Sequence, residues 1–258
     1  MHAEVGLSLA TLYGFLLVLF RVSGVMVLVP LPGFGSGPSM ARIVFALTLT
    51  FCLFPVWPVL NITAPPSMAT FAGWAVAEVA FGMLVGLAVA FLAEGFQLAA
   101  QLINLQAGYS YASAVDPNSE ADSTVLQLFM QLMSSLLFFS LGLDRQVVRI
   151  FAGSFQWFPV GSLPAASQSA EGLLRLGTAM FVTGLKLAMP VIALLLLADI
   201  ALSLFGRMQA QLQLLSLAFP IKMLTALAIL MALAAVLPAI LERAAAQTFE
   251  DLLHILRP

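Results

Sequence analysis

Long apolar runs, most of them near the length of a bilayer-spanning helix or longer and several broken by proline or glycine, constrain this chain more than any other feature. They are Leu7 to Leu31, Ile43 to Leu60, Phe71 to Leu92, Val125 to Leu143, about Glu171 to Phe205, and a last stretch to about Leu253. A helix needs about 20 apolar residues to cross the hydrocarbon core. Composition settles the environment: 62% of the 258 residues are hydrophobic and 9% are charged, with a mean hydropathy of +1.06. Soluble domains carry about 25% charged residues, so this chain cannot cover its own surface with water-soluble groups. The fold class read from these runs is an all-α integral membrane protein.

The punctuation between runs organises them into kinked helical hairpins. Pro30, Pro32, Gly33, Gly35, Gly37 and Pro38 end the first helix, because proline lacks the N–H that a helix needs and glycine favours turns. Arg42 opens the second run, which Pro55 and Pro58 close before a loop with Pro65 and Pro66. Glu4 and Arg21 do not fit a cleavable signal, so the first helix reads as retained. In the third run Gly82 and Gly86 have the small-xxx-small spacing that lets helices approach closely in lipid. Glu94, Gln97, Gln101 and Asn104 follow at spacings of three, four and three, a polar stripe on one side of a continuing helix. Gln127 and Gln131 form a second stripe across a polar segment from Ala107 to Thr124 that gathers turn residues. Asp144, Arg145 and Arg149 open a mixed connection through Pro159 and Gly161 to Gln168, read here as a linker that divides the chain into 1–168 and 169–258. The second part reads as a hairpin, with Pro190 in its first helix, a turn at Gly206 to Gln213, and Pro220 and Pro238 in its second.

Ordinary chemistries find no footing in the sequence. His2 and His254 stand at opposite ends and Cys52 is alone, so no zinc-ligand spacing exists and no metal or other cofactor is expected. Cys52 reads as a buried structural thiol. GFGSGPS at Gly33 to Ser39 lacks the Lys-Ser/Thr of a phosphate loop and reads as a plain loop. No catalytic nucleophile, base or metal set is visible, so the chain is not read as an enzyme. A net charge of -2 without runs of either sign leaves no footprint for nucleic acid.

Charges inside the apolar runs carry more information, since an ionised side chain at the centre of a span costs about 2.5–3.5 kcal/mol on insertion scales. Glu78, Lys186 and Asp199 therefore need partners or water. They fit either a proton or ion relay of a small secondary transporter or pairs between helices and subunits. Pairing is preferred because a relay needs several ionisable groups to converge. For six conventional spans, the basic residues divide only slightly in favour of an inside N-terminus, which leaves another topology open. An inert membrane scaffold, the third reading, would not need the polar stripes.

With these landmarks in place, the chain resembles the R-subunit family of the flagellar type III protein-export gate (FliR/SctT). The resemblance rests on Gln101 to Ser110 followed by Asp116-Pro117-Asn118-Ser119, on Arg21 before Pro30, and on Glu78 before Gly82 and Gly86. Trp157-Phe158-Pro159-Val160-Gly161 and the stretch from Leu185-Lys186 through Gly206-Arg207-Met208 to Phe219-Pro220-Ile221-Lys222 continue it in order. Gln209-Ala210-Gln211 and Ala218 depart from the family's usual Ala-Pro-Gln and Gly.

The resemblance implies a P-like part, 1–168, joined to a Q-like hairpin, 169–258, built into a helical hetero-oligomeric channel for unfolded flagellar proteins. Its implied location is the bacterial inner membrane, within the flagellar basal body. Implied partners are the P-type and Q-type gate subunits (FliP, FliQ), FlhB and FlhA. The loop 106–122, with Gln106, Gly108, Tyr109, Ser110, Tyr111, Asp116, Pro117 and Ser119, would be the channel plug. Glu94, Gln97, Gln101, Asn104, Gln127 and Gln131 would face the channel or another helix, and Gln209, Gln211 and Gln213 the cytoplasmic mouth. Arg21, Glu78, Lys186 and Asp199 would be interhelix charges. The equivalent injectisome subunit stands as an alternative on the same residues.

Overall fold

The structure is a computed structural model that describes residues 9–29, 39–58, 65–108, 125–161, 166–208 and 214–256. Tyr109, Ser110, Tyr111, Asp116, Pro117 and Ser119 of the expected plug loop, and Gln209, Gln211 and Gln213, lie outside these described residues. Among the described residues the regular structure is helical and no strand occurs. In chain order the helices are α1 (Leu9–Leu28), α2 (Ser39–Cys52), α3 (Met68–Ala107), α4 (Val125–Ser140), α5 (Leu143–Trp157), α6 (Ala166–Met208), α7 (Leu214–Ala234) and α8 (Leu237–Leu256). This is the all-α membrane architecture that the apolar runs imply. Among the described residues three helices, α1, α3 and α6, are long and apolar enough to cross a membrane alone, and up to five spans result if each of two bent pairs counts as one. Among the described residues that number falls short of the six conventional spans used to divide the basic residues, and the alternative topology left open there stands.

Local chemistry fixes the breaks. Between α4 and α5 the chain turns by 63° at Gly142, whose φ of 66° is the left-handed conformation that costs glycine least. Between α7 and α8 it turns by 66°, with Pro238 in the first turn of α8, where its missing N–H costs nothing. The second helix of the expected C-terminal hairpin is thus two helices. Helix α2 stops at Cys52, short of the expected Leu60, and a 3-10 turn at Phe54–Val56 containing Pro55 follows. The Trp57 indole N–H donates to the Thr50 carbonyl at 3.0 Å, satisfying one acceptor that the helix end would otherwise leave open.

Two expectations need correction. The stretch from Asp144, read as the start of a linker, is the 15-residue helix α5. Its charges dilute the apolar signal, yet Leu143, Phe151 and Ser154 are buried and Val147 and Ile150 half-buried, at positions that fall on one helical face. Asp144 and Arg145 sit in its first turn, where an acid suits the helix dipole. Cys52 is exposed rather than buried, because among the described residues the outer face of α2 with Val44, Phe51 and Cys52 is left uncovered.

The described residues divide into two compact units. The first is drawn from Met1–Phe91, Gly142–Leu176 and Thr248–Pro258. Its core joins Val18, Val22 and Val25 of α1 to Phe81 and Val85 of α3, with Phe151 of α5 and Leu252 of α8. The neighbour that Gly82 and Gly86 need is α1. A Cβ on Gly82 would meet the Arg21 carbonyl and lie 3.0 Å from the Gly24 Cα, and one on Gly86 would lie 2.8 Å from the Val25 carbonyl. The two backbones touch because neither glycine has a side chain.

The second unit is drawn from Leu92–Leu141 and Gly177–Gln247. Phe96, Ala99, Ala100 and Ile103 of α3 are fully buried in it, as are Ala188, Val191 and Leu195 of α6. A second close approach lies here, since a Cβ on Gly184 would come within 2.9 Å of the Gly95 carbonyl and 2.8 Å of Leu98.

Gly82→Val is expected to cost at least the roughly 1–3 kcal/mol of ordinary overpacking, because backbone rather than a flexible side chain must move. Gly73→Ala, with nothing within 4 Å of the added carbon, is expected to gain about 0.5–1 kcal/mol in the same helix. Thermal unfolding of the two variants in one detergent should move their midpoints in opposite directions.

Candidate functional site

Arg21 on α1 has no exposed surface, and Glu78 on α3 has 1%. The Arg21 Nε donates to Glu78 Oε2, and Nη2 donates to Oε1 at 3.1 Å, a two-pronged pair across the close contact of the two helices. The remaining polar atoms are also engaged. Nη1 donates to Ser154 Oγ on α5 at 3.0 Å, and Ser154 in turn donates to the Phe151 carbonyl at 2.6 Å. Nη2 also points to the Phe158 carbonyl at 3.5 Å, while the Gly161 N–H donates to Glu78 Oε1 at 3.0 Å. The guanidinium carbon lies 4.4 Å from the Phe81 ring centre and 4.3 Å from that of Phe155, a desolvated cation-π arrangement.

The Trp157 to Gly161 segment is therefore more than a landmark. Gly161 adopts a φ of 79°, and a Cβ there would lie 2.7 Å from the Trp74 indole nitrogen. Only glycine gives both the turn and the room that bring its N–H to Glu78. Ser154, Phe155 and Trp74 belong to this node and were not among the residues singled out from sequence. The Phe158 and Gly161 positions were visible only as parts of a motif.

A second polar cluster lies in the other unit. Lys222 of α7 pairs with Asp199 of α6, its Nζ at 2.8 Å from Oδ1 and 3.0 Å from Oδ2. Gln106, in the last turn of α3, donates its amide N–H to Asp199 Oδ2 at 3.1 Å. Two residues on, Gly108 closes the helix with a φ of 84° and donates to the Asn104 carbonyl. Lys222 was noted from sequence as a family landmark, not as the partner of Asp199. Its place two residues after Pro220, inside an apolar helix, was the available signal.

The other expected residues scatter. Glu94, Gln101 and Gln131 are exposed, Gln97 and Gln127 half-buried, and Asn104 buried. The stripe on α3 thus turns partly into the fold and partly out of it. Lys186 is exposed on α6 and makes no ion pair among the described residues. Among the described residues, no group of three or more His, Cys, Asp or Glu side chains lies close enough to hold a metal.

These features define a helical membrane protein whose buried charges serve packing and whose outer faces are largely apolar. The family model described as bacterial export proteins, family 1, matches residues 12–248, and the chain belongs to that family. It is similar to the flagellar biosynthetic protein FliR of Escherichia coli (strain K12), 29% identical over 92% of this chain and 90% of that one. The FliR of Bacillus subtilis (strain 168) is 27% identical over 94% of each chain. That of Aquifex aeolicus (strain VF5) is 28% identical over 84% of this chain and 83% of its own. The family expected from the ordered landmarks is the family that matches.

Replacing Glu78 by Gln is expected to cost about 3–5 kcal/mol, because it leaves a buried guanidinium without its counter-charge. The double variant Arg21→Met/Glu78→Leu should lose less than either single change, since it leaves no charge behind. Unfolding midpoints of wild type, Glu78→Gln, Arg21→Met, Glu78→Leu and the double variant in one detergent supply the comparison.

Proposed function

We propose that this chain is the R-type subunit of a flagellar type III protein-export gate and forms part of the channel by which unfolded flagellar proteins cross the inner membrane. The observation that carries this reading is the family match over residues 12–248, joined by relatives named FliR that align along nearly their whole length. The reading divides the chain into a P-like part, 1–168, and a Q-like part, 169–258. It assembles the chain with P-type and Q-type subunits (FliP, FliQ), FlhB and FlhA in the flagellar basal body. It is a transport component and not an enzyme.

Several physical features are in keeping with this assembly. Helices α3 and α6 have 40 and 43 residues, about 60 and 65 Å at 1.5 Å per residue, roughly twice a hydrocarbon core. Much of each would extend beyond one bilayer crossing, as suits a channel that rises out of the membrane plane. Glu94, Gln101 and Gln131 present polar side chains outward, costly against lipid but suited to an aqueous path or a polar partner. The plug reading for 106–122 draws support from how that loop begins. Gln106 is tied to Asp199, and the left-handed turn at Gly108 stops the helix, so the loop departs from a fixed point. Tyr109 and Tyr111 supply bulk to fill a lumen, and Ser110, Ala112, Ser113 and Ala114 are small enough to rearrange when a chain passes. Gln209, Gln211 and Gln213 suit the cytoplasmic mouth through their polarity.

Removing Gly108 to Ala114 is expected to leave the assembled gate intact and to raise the ion conductance of membranes that hold it. Unchanged conductance in a deletion that still assembles would remove the plug assignment.

A further inference from the structure

Helix α6 is the least covered of the long apolar helices. Of its most apolar stretch 22% is buried, against 50% for that of α3. Its open side presents Val182, Leu185, Met189 and Leu197. At the centre of this apolar side stands Lys186, exposed and without an ion pair among the described residues. Asp199, the nearest acid in sequence on the same helix, is already held by Lys222 and Gln106.

One turn further on, Pro190 adds a second polar demand at the same place. Proline has no N–H, so the α-helical hydrogen bond that would end on the carbonyl of Lys186 cannot form. An uncovered helix side therefore carries an ammonium and an open backbone carbonyl within one residue. Against lipid tails an unsatisfied backbone group costs several kcal/mol, and a central lysine adds about 2.5–3.5 kcal/mol. Lys186 lies 11 residues beyond Arg175 and 21 before Arg207, about 16 and 32 Å along the helix axis. A lysine stem does not reach the level of either arginine.

We infer that the side of α6 centred on Lys186 is a subunit interface, covered by an apolar helix of a neighbouring gate subunit. That helix brings a carboxylate to the Lys186 ammonium and an N–H or O–H donor to the Lys186 carbonyl. The charge selects the partner, because an apolar helix without an acid would seal the lysine away from water unpaired. The surrounding apolar side chains give the contact its area. This inference rests on the reading of the chain as one subunit of a hetero-oligomer and deepens it by naming the contact.

The test is co-expression of the tagged full chain with P-type and Q-type subunits, purification in mild detergent, and comparison of wild type with Lys186→Arg, Lys186→Met and Lys186→Glu. A photo-activatable residue at Met189 is used in parallel. Wild type that fails to assemble refutes the gate reading itself, and this inference with it. Given assembly, Lys186→Glu should lower the amount of at least one co-purified subunit more than ten-fold, Lys186→Met less, and Lys186→Arg hardly at all. Expressed without partners, all four chains should accumulate equally, because the side chain is exposed in the chain alone. The Met189 adduct should be to a gate subunit, and changing the acid nearest the adduct to Lys should restore assembly of Lys186→Glu. Full assembly of Lys186→Glu, adducts to lipid only, or no restoration by the charge swap would each overturn the inference.

Discussion

A guanidinium with no exposed surface ties together pieces of chain that are far apart in sequence. Arg21 of α1 meets Glu78 of α3, reaches Ser154 of α5 and points to the carbonyl of Phe158, while Glu78 accepts the N–H of Gly161. An apolar core alone sets no register, because one leucine-rich helix face slides against another at little cost. A buried charge does, since its ligands have fixed directions and displacement leaves them unpaired. The glycine contact of α1 with α3 and the node thus depend on each other: Gly82 touches the Arg21 carbonyl itself, and the side chain of the same residue holds Glu78 one turn earlier. Trp74, Gly161 and the two phenylalanine rings complete a shell around charges that would otherwise be costly in lipid or core.

The second unit handles its charges differently. Asp199, Lys222 and Gln106 form a half-exposed cluster, so water or a partner shares the work that buried ligands do around Arg21. Its helices leave long apolar faces open. Leu196, Leu197, Ile200 and Leu204 of α6 and Leu224 and Met231 of α7 are all exposed. Such faces suit lipid or neighbouring subunits, and the proposed contact at Lys186 assigns one side of α6 to a subunit. The first unit combines a closed, self-satisfied node with the open apolar face of α2, and the second leaves faces of α6 and α7 open, which is in keeping with the proposed place in a hetero-oligomer.

Much of this was legible beforehand, for physical reasons that differ by residue. The apolar runs reported helices because a membrane leaves the backbone no other arrangement of this kind. Gly82 and Gly86 reported a close neighbour through their spacing, though nothing in it named α1 or Gly24. Arg21 and Glu78 were legible as charges that need partners; that they choose each other across 57 positions is a property of packing. Helix α5 was misread because Asp144, Arg145 and Arg149 dominate its start, and charge density was weighed above the spacing of Leu143, Val147, Phe151 and Ser154. Lys222 was read as a family landmark, which hid the partner of Asp199. Cys52 was read as buried from its apolar surroundings, whereas those surroundings face outward. The left-handed turn of Gly161 against Trp74 has no signature in sequence beyond the glycine itself.

The proposed function makes this chain one subunit of a hetero-oligomeric export gate. The direct measurement is the native mass of the tagged protein extracted in mild detergent after co-expression with P-type and Q-type subunits. The expected result is a single copy of this chain held in a large hetero-oligomer. A protein that runs alone, or only with copies of itself, beside well-expressed partners would contradict it.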